Sequence, residues 1–161
     1  EDFLVFAKPA KPECIDFDLA TLCREVAEGI GRDPTWTSHQ LKLSLPGVVR
    51  IHGDPMLLRR VLWNLVRNAL EASAADQAVE VGIDPFSRPE DVVVFVRDHG
   101  EGIAPEIRGA MFEPFRTTKQ SGTGLGLSIS HRIVESHGGY FEVESAAGAG
   151  TTMRVVLRRS S

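Results

Sequence analysis

Four short stretches of this chain carry residue types and spacings that a purely structural role explains poorly. In the first, Asn64-Leu-Val-Arg-Asn68-Ala-Leu-Glu71, two asparagines stand one helical turn apart and share a face with Arg60 and Glu71. Asparagine is a poor helix-interior residue because its amide competes for backbone hydrogen bonds. Either that face is simply solvated, or the amide oxygens hold a hard cation such as Mg²⁺, which takes oxygen ligands and keeps waters beside phosphates. The second stretch is Val96-Arg-Asp98-His-Gly100-Glu-Gly102-Ile103. A carboxylate leaving an apolar strand can accept from a nucleobase amino group, and the glycines let the backbone approach a flat ring; a tight turn needing positive φ is the alternative.

The third stretch, Met111-Phe112-Glu-Pro-Phe115-Arg116-Thr-Thr-Lys119, sets two cations beside glycines, where they can meet phosphate, while the two phenylalanines can anchor a loop to the core. The fourth, Gly122-Thr123-Gly124-Leu125-Gly126-Leu127, directly precedes a helix. Its glycines let amides turn toward a phosphate, and the helix dipole adds only about 0.3–1 kcal/mol. Tight nucleotide binding therefore also requires the metal and the lysine. Familiar phosphate loops do not fit. No GxxxxGK[ST] occurs, Leu127 stands where GxGxxG demands a third glycine, and HRD and DFG are missing.

The elements that must position these residues follow from periodicity. Asp18 reads as the N-cap of a helix with Leu19, Leu22, Cys23, Val26, Ala27 and Ile30 on one face, ended by Gly29 with Gly31. Leu41, Leu43 and Leu45 alternate with polar residues before Pro46-Gly47, and Val49 and Ile51 resume, which predicts two strands joined as a hairpin. Asp54-Pro55 starts a helix running to about Ala74. Val79–Ile83 and the nearly all-apolar Val92–Asp98 read as strands, the second central. Residues 99–124 form a long functional loop, Leu125–His137 a third helix stopped by Gly138-Gly139, and Tyr140–Glu144 with Thr152–Leu157 a final hairpin. No regular βαβ repeat is present. The expected fold is α+β, a two-layer α/β sandwich with three main helices on one face of a mixed sheet.

Length and composition set the frame. The chain has 161 residues, 42% hydrophobic and 25% charged, with formal net charge −4. These are the proportions of one soluble globular domain with a substantial core, and they speak against nucleic acid or a polybasic membrane surface. No apolar run is long enough to span a bilayer, no basic-then-apolar leader is legible, and Glu1 reads as a cut boundary. Cys14 and Cys23 lack CxxC spacing; Cys23 is expected in the core, and the cytoplasm is the default compartment. The opening EDFLVFAKPAKPEC reads as a helix end followed by an extended linker over residues 1–14.

Taken in order, NLVRNALEA, DHGEGI, FEPFRTTK and GTGLGLSI resemble the N box, first glycine box, F box and second glycine box of sensor histidine kinases, and most closely those of the nitrogen-regulation-like subgroup. The resemblance covers roughly residues 14–158. It places the chain in the superfamily shared with gyrase, a heat-shock chaperone and mismatch-repair ATPases, and implies the Bergerat-type ATP-binding fold over residues 15–158. By that resemblance Asn68 binds Mg²⁺ with Asn64 close to the phosphates, and Asp98 accepts from the adenine amino group in a pocket shaped by Gly100 and Gly102. Residues 103–123, from Ile103 onward, form a mobile ATP lid carrying Phe112, Phe115 and Lys119. Gly122, Thr123, Gly124, Leu125, Gly126 and Leu127 surround the phosphates. Arg116 stands where phenylalanine is common, and Thr151 or Thr152 is expected to touch adenine through water.

The implied reaction is transfer of the ATP γ-phosphoryl group to a histidine, with Asn64, Asn68 and Lys119 in catalytic positions and catalysis mainly by positioning and charge stabilisation. None of His39, His52, His99, His131 and His137 sits in a sequence like the family's acceptor box. The acceptor is therefore expected on a separate dimerisation domain before residue 1, the further partner is a response-regulator receiver domain, and the isolated chain is expected to be a monomer. His131 and His137 are expected on the third helix, structural or exposed. A self-contained ATPase of the superfamily would carry a water-activating glutamate four residues before the metal asparagine, where Asn64 stands. A catalytically silent pseudokinase module is the other alternative, and the retained Asn68, Asp98, Lys119 and glycines speak against it.

Overall fold

The computed structural model describes residues 11–36, 40–84, 88–103, 126–146 and 148–159. The chain enters through strand β1 (Ile15–Asp18), and helix α1 (Leu19–Gly31) follows without a break. Asp18 is the hinge between them: its carboxylate accepts from the Ala20 and Val49 amides at 3.1 and 2.8 Å and from the Thr21 hydroxyl at 2.7 Å. Burial pushes this carboxyl up, but those three donors outweigh it and hold the group below its ordinary value. Gly29 does not end α1. It lies inside the helix, and a Cβ there would come within 2.8 Å of the Trp63 ring. Glycine at this position lets α1 pack closely on the next helix.

Two strands follow, β2 (Gln40–Ser44) and β3 (Arg50–Gly53), and they do not pair as a hairpin. β2 runs parallel to β4 (Ala78–Ile83), whereas β3 pairs antiparallel with β1 in a separate two-stranded sheet. The cause lies at Val49, whose carbonyl accepts from the Leu19 amide at 2.8 Å while its own amide binds Asp18. The chain leaving Pro46-Gly47 is thereby drawn to the start of α1 instead of folding back on β2.

Helix α2 (Pro55–Ala72) begins at the expected Asp54-Pro55, with the Asp54 carboxylate accepting from Met56 and Leu57 amides at 3.1 and 3.2 Å, and ends two residues short of Ala74. Strand β5 (Asp91–Asp98), helix α3 (Gly126–Ser136) and the hairpin of β6 (Tyr140–Ala146) and β7 (Gly150–Arg158) complete the fold. The main sheet has the order β2-β4-β5-β7-β6, mixed in direction with β5 central. The valines Val79, Val81, Val92, Val94, Val96 and Val155 line the helix-facing side of the sheet, and Leu19, Val26, Ile30, Leu62, Val66, Leu70 and Val134 answer from the helices, all essentially inaccessible. Each such side chain contributes about 1.5–3 kcal/mol on burial. Cys23 belongs to this core, and burial raises its thiol pKa to about 12, so it is inert.

On the opposite face of the sheet the Phe95 ring covers its cross-strand neighbour Gly82, where a Cβ would fall within 2.6 Å of the ring. The Arg97 guanidinium lies 4.9 Å over the same ring and pairs with Glu80 at 2.8 Å.

Candidate functional site

Asp98 is the last residue of the central strand. Strand alternation turns its side chain to the helix side with Val92, Val94 and Val96, where it is only 7% exposed. Its Oδ1 accepts from the Gly100 amide at 2.9 Å. Burial is the largest influence on this carboxyl and raises its pKa above the ordinary 3.8, against the lowering effect of the Gly100 and Thr151 amides and of His99. A buried acceptor at the end of a central strand is suited to a hydrogen-bond donor on a ligand.

Glycines close around it. At Gly100 a Cβ would sit 2.3 Å from the Ala72 carbonyl oxygen, at the C-terminal end of α2. Gly102 has φ +83 and would meet the Ala146 carbonyl at 2.3 Å, and Gly150, with φ +86, would meet the Asp98 carbonyl at 2.2 Å. Gly102 thus meets the demand of a left-handed turn, and Gly100 lets the backbone lie close against the end of α2. Thr151 stands opposite Asp98 in the β5–β7 register, and Ser145 stands opposite Thr151 in the β6–β7 register. Ser145 had not been singled out from the sequence. The signal is there, since it occupies the inward position of the Phe141, Val143, Ser145 alternation, where an apolar residue is the norm.

The asparagines lie on the half-buried flank of α2. Asn64 Nδ2 donates to Ser130 Oγ on α3 at 3.3 Å, and a Cβ on Gly126 would come within 2.5 Å of Asn64 Oδ1. The first stretch therefore meets the end of the fourth, at the N-terminus of α3. A cleft of about 380 Å³ opens here between α2 and α3, lined by Arg60, Trp63, Asn64, Arg67, Gly126 and Ser130 among others. Arg59 pairs with Glu25, and Arg67 with Glu71 at 3.7 Å. Asn68 lies one turn closer to Asp98 along the same helix. From Asn64 to Ala72, beside Gly100, the helix rises about 12 Å at about 1.5 Å per residue.

Among the described residues no group of three or more His, Cys, Asp or Glu is arranged to hold a metal. A cation here would rest on amide oxygens together with ligand oxygens and water, which suits Mg²⁺, a metal bound through few protein ligands beside phosphates. Leu127 is half-buried on α3 and packs against the core, as does Ile103. Phe112, Phe115, Arg116, Lys119, Gly122, Thr123, Gly124 and Leu125 lie outside the described residues. His137 falls just beyond α3 and has a structural part. Its Nε2 accepts from the Asp54 amide at 3.0 Å and its Nδ1 faces the Ile133 carbonyl at 2.8 Å. His131 faces Glu135 at 3.2 Å and stacks on Phe141. No helix among the described residues is long and apolar enough to cross a membrane.

Comparison with known proteins gives a consistent result. The family model described as histidine kinase-, DNA gyrase B-, and HSP90-like ATPase matches residues 53–161. The sensor protein FixL of Bradyrhizobium diazoefficiens is 42% identical over 120 residues, covering 73% of this chain and 24% of FixL. The sensor histidine kinase ZraS of Escherichia coli is 34% identical over 157 residues, covering 97% of this chain and 33% of ZraS. The chain thus spans a third or less of these relatives. The solved catalytic domain of histidine kinase ThkA superposes with a TM-score of 0.82 at 30% identity, covering 91% of this chain and 96% of that one.

Proposed function

The chain belongs to the histidine kinase-, DNA gyrase B- and HSP90-like ATPase family, as an ATP-binding catalytic domain of the two-component sensor histidine kinase type, and from that premise we propose the reaction and the residues that serve it. The γ-phosphoryl group of ATP passes to a histidine on a dimerisation domain outside this chain, and from there to an aspartate of a response-regulator receiver domain. Residues 1–14 are the end of the dimerisation helix and its linker, and residues 15–158 the catalytic domain. The PFRTTK and GTGLGL strings favour the nitrogen-regulation-like subgroup.

The observation that carries the reading is the pairing of two sites on one helix. A buried carboxylate framed by glycines lies at the C-terminal end of α2, and an asparagine flank meeting a glycine helix start lies about 12 Å along it. Asp98 takes the adenine amino group, with Gly100, Gly102 and Ile103 forming the pocket wall. Asn64 and Asn68 face the phosphates, and Asn68 holds Mg²⁺, which when bound neutralises phosphate charge. Gly126 and Leu127 bring the α3 N-terminus to the phosphates, where the dipole favours anions. Phe112, Lys119, Gly122, Thr123, Gly124 and Leu125 complete the nucleotide site, with Lys119 supplying positive charge to the transferring group.

Titration of the chain with a non-hydrolysable ATP analogue, with and without Mg²⁺, tests this. Wild type should bind saturably and more tightly with metal. Asp98→Asn should lose about 10–100-fold in affinity, the value of one charge-assisted hydrogen bond. Equal affinity in the two proteins would remove Asp98 from the adenine site.

A further inference from the structure

Resting on that nucleotide-site reading, we infer that Ser145 is a positioning residue for nucleotide binding, which holds the pocket wall at Ile103 and the Thr151 hydroxyl beside Asp98 in one arrangement. Three strands end at the same level here: Asp98 on β5, Thr151 on β7 and Ser145 on β6 are successive cross-strand neighbours. The Ser145 hydroxyl is the junction. It accepts from the Ile103 amide at 2.7 Å, faces Thr151 Oγ1 at 2.9 Å and reaches the Gly150 carbonyl at 3.2 Å.

Among the described residues, positions 101, 102 and 103 of the wall each meet the β6–β7 turn. The Gly148 amide donates to the Glu101 carbonyl at 2.8 Å, Gly102 abuts the Ala146 carbonyl, and the Ile103 amide donates to Ser145. The first two are backbone contacts. Only the third ends on a side chain, so it is the tie whose loss one substitution can produce without rebuilding the turn. A hydroxyl has one proton and two lone pairs. With one lone pair engaged by Ile103, the Ser145 proton goes either to Thr151 Oγ1, leaving the Thr151 proton for a ligand, or to Gly150, leaving Thr151 to donate back to Ser145. Ser145 thereby governs both the place of the wall and what Thr151, itself 8% exposed, presents next to the Asp98 acceptor.

The test compares wild type, Ser145→Ala and Ser145→Thr, at a temperature where all three are folded, by titration with ADP and with a non-hydrolysable ATP analogue, with and without Mg²⁺, and by amide hydrogen exchange at Ile103. Ser145→Ala should weaken both nucleotides by the same factor, about three- to tenfold, leave the Mg²⁺ enhancement unchanged, and accelerate exchange at Ile103. Ser145→Thr, which keeps the hydroxyl, should restore both readouts. Wild-type affinity and wild-type Ile103 exchange in Ser145→Ala would overturn the inference, as would a loss confined to the Mg²⁺ enhancement or a lower melting temperature with unchanged affinity. A wild-type chain that binds neither nucleotide would instead overturn the reading on which the inference stands.

Discussion

At the scale of single residues, the proposed nucleotide site trades stability for binding. Asp98 is an acid in a largely dry position, and burial raises its pKa. A carboxyl whose folded pKa lies above the unfolded value stabilises the fold only in its protonated form, and that contribution is lost as pH rises through the raised value. At neutral pH the ligand-free chain therefore carries a cost at Asp98. Asp98→Asn keeps the Oδ1 acceptor for Gly100 and removes the charge, so it should melt at a higher temperature than wild type while binding nucleotide worse. The difference in melting temperature should shrink as pH falls toward 3.8 and below; thermal denaturation across pH reads this directly. Gly126 makes the complementary case. A Cβ there would press on Asn64 Oδ1, so Gly126→Ala should lower ATP affinity, by about tenfold if one amide contact worth about 1.4 kcal/mol is displaced, to a similar extent with and without Mg²⁺, because the proposed metal ligand is Asn68. A loss confined to the Mg²⁺-assisted affinity in the same titration would instead make Asn64 a metal ligand.

At the scale of elements, the start of α2 is fixed by groups far away in sequence. The Asp54 carboxylate caps the helix and also accepts from the Glu13 amide at 2.9 Å, while the Asp54 amide donates to His137 beyond α3. His137 thus joins the end of one helix to the start of another, and Gly53 leaves room for its ring, since a Cβ there would lie 3.1 Å from it. His137→Ala leaves the Asp54 amide without its acceptor and should cost about 1–3 kcal/mol, measured by chemical denaturation. Because α2 carries Asn64 and Asn68 and α3 begins at Gly126, the same variant should also weaken ATP binding at temperatures where it remains folded. A variant as stable as wild type would show that water replaces the imidazole at no cost.

At the scale of the whole molecule, one layer of helices on one mixed sheet sets Asp98 at a strand terminus and Gly126 at a helix start, the proposed base and phosphate ends of the site. The chain alone, incubated with radiolabelled ATP, is expected to show no stable histidine phosphorylation, since none of its five histidines stands in an acceptor sequence. Addition of a dimerisation domain bearing the acceptor histidine should produce acid-labile, base-stable label on that domain. Label on the chain itself in the absence of a partner would require an acceptor among His39, His52, His99, His131 and His137.

Much of this was legible beforehand because it depends on short-range chemistry. Helix periods, the Asp18 and Asp54 caps, the apolar run of β5 and the glycine turn of the final hairpin are written within a few residues of where they act, and so were the glycine and asparagine boxes. Strand partners were not legible. The alternation of Leu41, Leu43 and Leu45 makes a strand but is blind to its neighbour, and it took the Val49 amide and carbonyl, held by Asp18 and Leu19, to send β3 to β1 and leave β2 to β4. Gly29 looked like a helix end because its partner, Trp63, lies on another helix. Ser145 and His137 were opaque for the same reason, since each acts through hydrogen bonds to residues 42 and 83 positions away, counted from Ile103 and Asp54. The sequence by itself determined the local elements and the residue types offered for the proposed nucleotide site, because side-chain chemistry and local backbone preference are properties of the residues. Which of them meet one another was decided by tertiary packing, because cross-strand and helix-to-helix hydrogen bonds depend on a register that only the assembled core enforces.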